Sequence, residues 1–329
     1  MKIFVNDVEN LLVESLSGFA AAHGDLVSLN LEPHFVTRAN KAKNKVALIS
    51  GGGSGHEPLH TGFIGYGMLD AACPGHVFTS PTPDQMMAAA EAVECGKGVL
   101  FIVKNYAGDV MNFEMAGEMI TCDHATVLTS DDVAVENSTY TTGRRGVAGT
   151  VIVEKVVGSL AETGADLAHC KALGERVNQR TASMGVALSS CTVPAAGRPT
   201  FDIGDNELEM GVGIHGEPGR RREAMRPADD IVKDLVTAIL HDLRPVEGSE
   251  VLLMINGFGA TPLMQLYMLY NSASKMLAAH GLKVTRSLVG NYTTALDMAG
   301  ASVTVCELDE EIKRHWDSPV HTAAMRWGM

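Results

Sequence analysis

The sequence contains no Gly-Lys-Ser or Gly-Lys-Thr, and Gly96-Lys97 runs on into Gly98. A Walker phosphate loop, whose lysine must reach the terminal phosphates, is therefore excluded. A dinucleotide fingerprint begun at Gly51 needs a third glycine at position 56, which is His56. No self-contained nucleotide site is legible. Paired cysteines are missing too: Cys73, Cys95, Cys122, Cys170, Cys191 and Cys306 are scattered without a Cys-x-x-Cys. That argues against a disulfide framework or zinc knuckle and leaves packing as their role. No run approaches the ~18 apolar residues of a membrane span. The opening Met1-Lys2-Ile3-Phe4-Val5-Asn6-Asp7 lacks the apolar stretch of a secretory signal, so the expected location is cytoplasmic. Basic charge is scarce, with 26 Lys and Arg against 39 Asp and Glu for a net −13. Nucleic acid and anionic membrane are thus not expected as main partners.

What is present is globular: 329 residues, 46% hydrophobic and 20% charged. The length exceeds the roughly 250–300 residues at which single cores stop growing, so two domains are expected, 1–182 and 183–329, divided near Ala182. Short apolar runs at 46–49, 99–103, 125–128, 186–188, 251–255 and 303–306 read as buried strands. Helical patterns at 84–93, 147–163 and 231–240 alternate with them, after an opening helix around Leu11, Leu12, Leu16 and Phe19 capped by Asn6. The predicted fold class is α/β: two domains, each with a mostly parallel or mixed sheet flanked by helices. Segments 193–199 and Arg220-Arg221-Arg222 read as exposed loops, and no repeat or low-complexity tract interrupts the pattern.

The most informative stretch is Ser50-Gly51-Gly52-Gly53-Ser54-Gly55-His56-Glu57-Pro58, directly after the run at 46–49. Glycine carries no Cβ, so bare backbone N–H groups can approach a ligand, and positive φ costs little. We read it as a loop cradling a polar ligand, with His56 as an acid/base. A tight turn alone would account for one or two glycines, not four beside a histidine and a carboxylate. A second strand, 99–103, is followed by Lys104-Asn105-Tyr106-Ala107-Gly108-Asp109 and a helix beginning near Val110. If the two strands are parallel, their ends converge and His56, Lys104 and Asp109 line one pocket. Asp109 reads equally as a helix N-cap and Lys104 as a solvated charge.

Gly211-Val212-Gly213-Ile214-His215-Gly216-Glu217-Pro218-Gly219 again frames a histidine with glycines. Such an imidazole is sterically open and, with an ordinary pKa of roughly 6.5, can serve as nucleophile or metal ligand. His56, Glu57, His60, Asp109 and His215 offer metal-binding atoms, but no His-Glu-x-x-His or comparable spacing exists, and no metal is expected. Residues 256–262, after the strand at 251–255, read as an ordinary strand–turn–helix corner rather than an anion cradle.

These residues, in this order along essentially the whole chain, resemble the substrate-binding subunit of the dihydroxyacetone kinases. The likeness rests on residues 50–58 with Leu59-His60-Thr61-Gly62, on Ala72-Cys73-Pro74-Gly75 and Phe78-Thr79-Ser80-Pro81-Thr82-Pro83-Asp84, and on 104–109 with Asn112-Phe113. It continues in Gly143-Arg144-Arg145-Gly146, Cys191-Thr192-Val193-Pro194, residues 211–219 and Pro319-Val320-His321-Thr322. The resemblance implies that a ring nitrogen of His215 adds to the ketone of dihydroxyacetone to form a hemiaminal. It places Gly53, Ser54, Gly55, His56, Lys104 and Asp109 around the substrate, with His56 and Asp109 removing the proton of the hydroxyl that is phosphorylated. Glycerol, having no carbonyl, cannot be captured this way.

The resemblance further implies that this chain holds no cofactor. Mg-ADP or Mg-ATP sits on a separate helical unit, absent here, so a nucleotide-binding kinase subunit is the expected partner. In bacteria that partner is usually recharged by a phosphotransferase-system donor and ultimately phosphoenolpyruvate. A homodimer is also implied. The stretch between His215 and Val251 is shorter than in some members, which bears on the partner surface or substrate range. Two other functions stay open: a kinase subunit for a related short ketose such as a tetrulose, and a non-catalytic dihydroxyacetone-sensing coactivator. A pure sensor has no use for the proton acceptors His56 and Asp109.

Overall fold

The computed structural model describes residues 3–135 and 143–329; Met1 and Lys2 of the opening stretch lie outside it. Helix α1 (Leu11–Ala22) precedes β1 (Val27–Leu31), β2 (His34–Arg38), β3 (Ala47–Ser54), β4 (Gly65–Tyr66) and β5 (Ala71–Val77). Then come α2 (Pro83–Val93), β6 (Val99–Lys104), α3 (Ala107–Met119) and β7 (His124–Thr129). Helices α4 (Gly149–Glu162) and α5 (Leu167–Gln179) lead to β8 (Thr181–Ala187), β9 (Glu207–Met210), β10 (Arg221–Ala224) and α6 (Ala228–Leu243). The chain closes with β11 (Glu250–Gly257), α7 (Leu263–Ala279), β12 (Lys283–Gly290), β13 (Gly300–Glu307), α8 (Glu310–Asp317), β14 (Val320–Thr322) and β15 (Arg326–Trp327).

The fold class is α/β with mixed sheets flanked by helices. The first six-stranded sheet runs β1-β2-β5-β3-β6-β7, and its pairs β5·β3, β3·β6 and β6·β7 are parallel. The second runs β10-β9-β8-β13-β11-β12 and has a single parallel pair, β11·β12. The alternation of apolar runs with helices suggested more parallel pairing there. Instead β8 passes to β9 without a helix, and β13 inserts antiparallel between β8 and β11. A third sheet joins β4 to β14 and β15. The division into 1–182 and 183–329 stays a proposal: strands of the first sheet end at 129 and those of the second begin at 181, so the boundary falls just inside β8.

Several local readings are corrected. Asn10, not Asn6, is the N-cap of α1, and the Asn6 amide instead donates to Glu14 at 2.9 Å. Arg221 and Arg222 lie in β10 rather than a loop, their guanidinium groups paired with Glu223 and Glu209 at 2.9 and 3.0 Å. Strand β8 starts at Thr181, well before 186, because Thr181 and Ser183 mask its apolar character. Their hydroxyls are satisfied inside, donating to Val177 O at 2.7 Å and Asp131 Oδ2 at 2.5 Å, so a fully buried strand tolerates them.

Helix α4 is the shared wall of the molecule. Val151, Ile152, Val156 and Leu160 share one apolar cluster with Leu48 and Leu100 of the first sheet, Leu252 and Met254 of β11, and Ile312 and Trp316 of α8. Gly158 lets this helix touch the chain before β5: a Cβ there would lie 2.6 Å from Gly67 O and against the Met68 backbone. Alanine is the better helix former by about 1 kcal/mol, but overpacking against backbone costs about 1–3 kcal/mol. Gly158→Ala is therefore expected to lower stability in urea denaturation. Gly18→Ala, in α1 with nothing within 4 Å of the added carbon, is expected to raise it by up to about 1 kcal/mol.

Candidate functional site

The glycines after Ile49 are a continuation of β3, not a loop: Gly51, Gly52 and Gly53 are strand residues paired in parallel with Cys73, Pro74 and Gly75. Their lack of side chain serves close approach. A Cβ on Gly51 would lie 2.6 Å from Cys73 O, one on Gly53 2.6 Å from Thr79 N, and one on Gly52 on top of Lys104 Nζ. Of the run, Gly55 alone has positive φ, +102°, and there the chain leaves the sheet. Glu57 secures this exit, both carboxylate oxygens accepting from Gly55 N–H at 3.0 and 3.1 Å, while Ser54 Oγ donates to Gly75 O at 2.7 Å.

The turn places His56 in the interior, 1% exposed. Its Nδ1 lies 2.7 Å from Thr294 O. A carbonyl only accepts, so Nδ1 carries the hydrogen and Nε2 keeps a lone pair. That Nε2 is buried and has no hydrogen-bond partner among the described residues. Phe78, at φ +55° where bulky residues are rare, stacks on the ring with centroids 5.0 Å apart. The ring of His215, from the far half of the chain, stands edge-on at 4.8 Å, and Tyr106 packs against His215 at 4.7 Å.

His215 is held by Glu217, two residues on. The carboxylate accepts from His215 N–H at 3.0 Å and from Nδ1–H at 2.8 Å, so the lone pair of a neutral His215 ring is again on Nε2. Burial alone would raise the Glu217 pKa. Opposing it, His215 as charge and hydrogen-bond donor and Arg145 at 4.0 Å bring it down to about 2. Glu217 is ionised across the working pH range and fixes the tautomer of its neighbour. Sequence reasoning noted this glutamate beside His215 but gave it no role. Tyr106 and Phe78 lay inside quoted motifs but were given no role, and Thr294 was missed, since nothing in its local spacing marks it.

Strands β3 and β6 are parallel neighbours, so the two predicted ligand segments meet at one end of the sheet. Lys104, the last residue of β6, is 1% exposed rather than solvated, and its Nζ lies 3.7 Å from Asp109 Oδ2. Asp109 is not an N-cap: Tyr106 holds that place in α3, and Asp109 lies buried in the first turn. Gly53, Ser54, Gly55, His56, Lys104, Asp109 and His215 thus gather around one end of the first sheet. Residues 256–262 form the expected corner between β11 and α7. Among the described residues no group of three or more His, Cys, Asp or Glu is placed to hold a metal ion, and no helix is long and apolar enough to cross a membrane.

Burial, then the nearby His215 and Lys104, push the pKa of His56 well below 6.5. The unfolded chain takes up a proton near 6.5 that the folded chain refuses, so this histidine costs stability as pH falls through that value and nothing above it. The stability gap between wild type and His56→Gln, from urea denaturation, is expected to be flat above pH 7. Below pH 6 it should shift against the wild type by up to about 1.4 kcal/mol per pH unit.

A family model, the Dak1 domain, matches residues 17–324. The chain is 46% identical over 356 aligned positions, with all of both chains covered, to the Escherichia coli (strain K12) protein named PEP-dependent dihydroxyacetone kinase, dihydroxyacetone-binding subunit DhaK. Its structure is similar to the dihydroxyacetone kinase operon co-activator Dha-DhaQ, with a TM-score of 0.89 and 32% identity over 94% of this chain and 97% of that one. It is also similar to the dihydroxyacetone kinase of C. freundii in complex with AMP-PNP and Mg2+, with a TM-score of 0.87 and 35% identity over 98% of this chain and 60% of that one. Buried glycine strand, paired imidazoles and full-length identity agree: the chain belongs to the Dak1 domain family of dihydroxyacetone kinases.

Proposed function

We propose that this chain is the dihydroxyacetone-binding subunit of a dihydroxyacetone (glycerone) kinase, holding its substrate covalently on His215 for phosphorylation by a partner subunit. The observation that carries this reading is the pair of imidazoles 4.8 Å apart, each with its Nδ1 hydrogen committed and its Nε2 free to act. In the proposed capture, Nε2 of His215 bonds to the carbonyl carbon. The π pair moves to the oxygen, which takes up a proton from solvent, giving a hemiaminal on a ring that now carries one positive charge. The positive charge developing on the ring is met by Glu217 on Nδ1–H. Lys104 and the bare backbone of Gly53, Ser54 and Gly55 hold the hydroxyl groups. When a terminal hydroxyl oxygen attacks phosphorus, its proton passes to Nε2 of His56, with Asp109 assisting.

The phosphoryl group is supplied by Mg-ADP turned over to Mg-ATP, or by Mg-ATP itself, on a nucleotide-binding kinase subunit. A phosphotransferase-system donor fed by phosphoenolpyruvate is the proposed source. In support, the C. freundii kinase described with AMP-PNP and Mg2+ is longer than the part matched here, and the E. coli relative is named as PEP-dependent. A homodimer in the cytoplasm is part of the same proposal.

The likeness to a co-activator favours a second reading, a ligand sensor without catalysis. Against it stands the buried Nε2 of His56, without a partner among the described residues, an acceptor that binding alone does not need. Intact-mass measurement with dihydroxyacetone is expected to show an adduct of substrate mass that His215→Ala abolishes. His56→Ala should keep the adduct and lose ~10²–10⁴-fold in turnover with a cognate nucleotide subunit. Adduct without transfer to any such subunit would select the sensor. Faster turnover of a tetrulose than of dihydroxyacetone would move the substrate assignment.

A further inference from the structure

Lys104 is gripped from behind. Its ammonium donates to Gly51 O at 3.2 Å and to His60 Nε2 at 2.8 Å, and it occupies the space that a side chain on Gly52 would fill. On the other edge of the His60 ring, Nδ1 lies 2.5 Å from Glu154 Oε1 and 3.0 Å from Ser50 Oγ. Ser50 spends its own hydrogen on Ile102 O at 2.7 Å, so its oxygen accepts. Nδ1 therefore carries the hydrogen and Nε2 receives the one from lysine. Glu154, His60 and Lys104 are 0%, 6% and 1% exposed and come from α4, the turn after β3, and the end of β6. Burying such a trio costs more than an apolar filling of the same volume, and packing gives no reason for it. The second oxygen of Glu154 is buried with no partner among the described residues.

We propose that Glu154 and His60 are positioning residues, a buried hydrogen-bonded chain that fixes the Lys104 ammonium group between Gly52 and Asp109 and thereby aligns the hydroxyl end of the bound ketose. The inference rests on the functional reading above, in which Lys104 meets substrate. It gives α4, remote from the glycine turn in sequence, a hand in substrate alignment.

The proton inventory follows from the same geometry. Burial, only partly offset by Lys104, pushes the carboxyl of Glu154 up to about 8. Burial, then Lys104 and His56, keep His60 neutral. The groups that face Glu154 are His60 from the turn after β3 and Lys104 from β6, with Asp109 of α3 beyond the lysine. Near neutral pH the ammonium therefore leans on one carboxylate, Asp109. Above pH 8 Glu154 ionises, and two carboxylates compete for the lysine through the ring.

The test uses the full chain with its nucleotide subunit. Glu154→Leu breaks the chain and is expected to raise KM for dihydroxyacetone by about tenfold or more, with kcat within about threefold and the His215 adduct still formed at saturation. The same substitution added to Lys104→Met should change nothing further. Glu154→Gln keeps an acceptor for His60 without a titrating proton, so its KM should match wild type at pH 7 and lose the rise that wild type shows between pH 7 and 9. A folded Glu154→Leu with unchanged KM, or a loss that adds to that of Lys104→Met, overturns the proposal. If Glu154→Leu does not fold, identical pH dependence of wild type and Glu154→Gln overturns it instead. A wild type that neither forms adduct nor transfers phosphate removes the functional reading first, and this inference with it.

Discussion

The site depends on a short seam between two distant stretches of chain. Leu296 N–H donates to Gly55 O at 2.9 Å, Thr294 N–H to His56 O at 3.2 Å, and Thr294 Oγ1 to Glu57 O at 2.9 Å. The same Thr294 takes the Nδ1 hydrogen of His56 through its carbonyl. Four bonds thus weld the exit of the glycine strand to the segment between β12 and β13, and with it the first sheet to the second half of the molecule. The weld sets the His56 tautomer as a by-product of satisfying backbone, since buried peptide groups must find partners. Its fit is tight on both sides. A Cβ on Gly55 would strike Phe78 and Leu296, and Leu296 itself sits at φ +54°.

Two glutamates, Glu154 fully buried and Glu217 largely so, show how the same burial yields opposite outcomes. Burial favours the neutral form of both. At Glu217 the charge and hydrogen bond of His215, with Arg145 close by, overcome it, and the carboxylate persists down to about pH 2. At Glu154 the lysine acts only through an intervening ring and burial wins, lifting the group to about 8. The first therefore serves as a fixed anion against an imidazole. The second serves as a neutral anchor that changes state within reach of ordinary pH. Both act on a residue that the functional reading puts against substrate, His215 in one case and Lys104 in the other.

Much of this was legible in the residues. The apolar runs located β3 and β6 of the first sheet and β11 and β13 of the second, though not β5, which lies between β2 and β3, and the glycine-framed histidines marked the two side chains that the fold brings together. The reading of residues 51–53 as a loop failed for a physical reason: glycine signals freedom in sequence, yet here it signals crowding, a strand pressed against Lys104 and Phe78. Antiparallel insertion of β13 was invisible because strand direction is a property of connection and partner, not of composition.

By itself the sequence determined the fold class, the strand ends from which a site can be built, and the chemical identity of the side chains proposed to react. Those rest on periodicity and side-chain chemistry, which are local. Tertiary structure decided which ring nitrogen is free, which carboxylate is charged, and that Thr294, Tyr106 and Glu154 belong to the site's surroundings at all. Those depend on partners up to 238 residues away and on exclusion of water, and neither is written in any stretch of neighbouring residues.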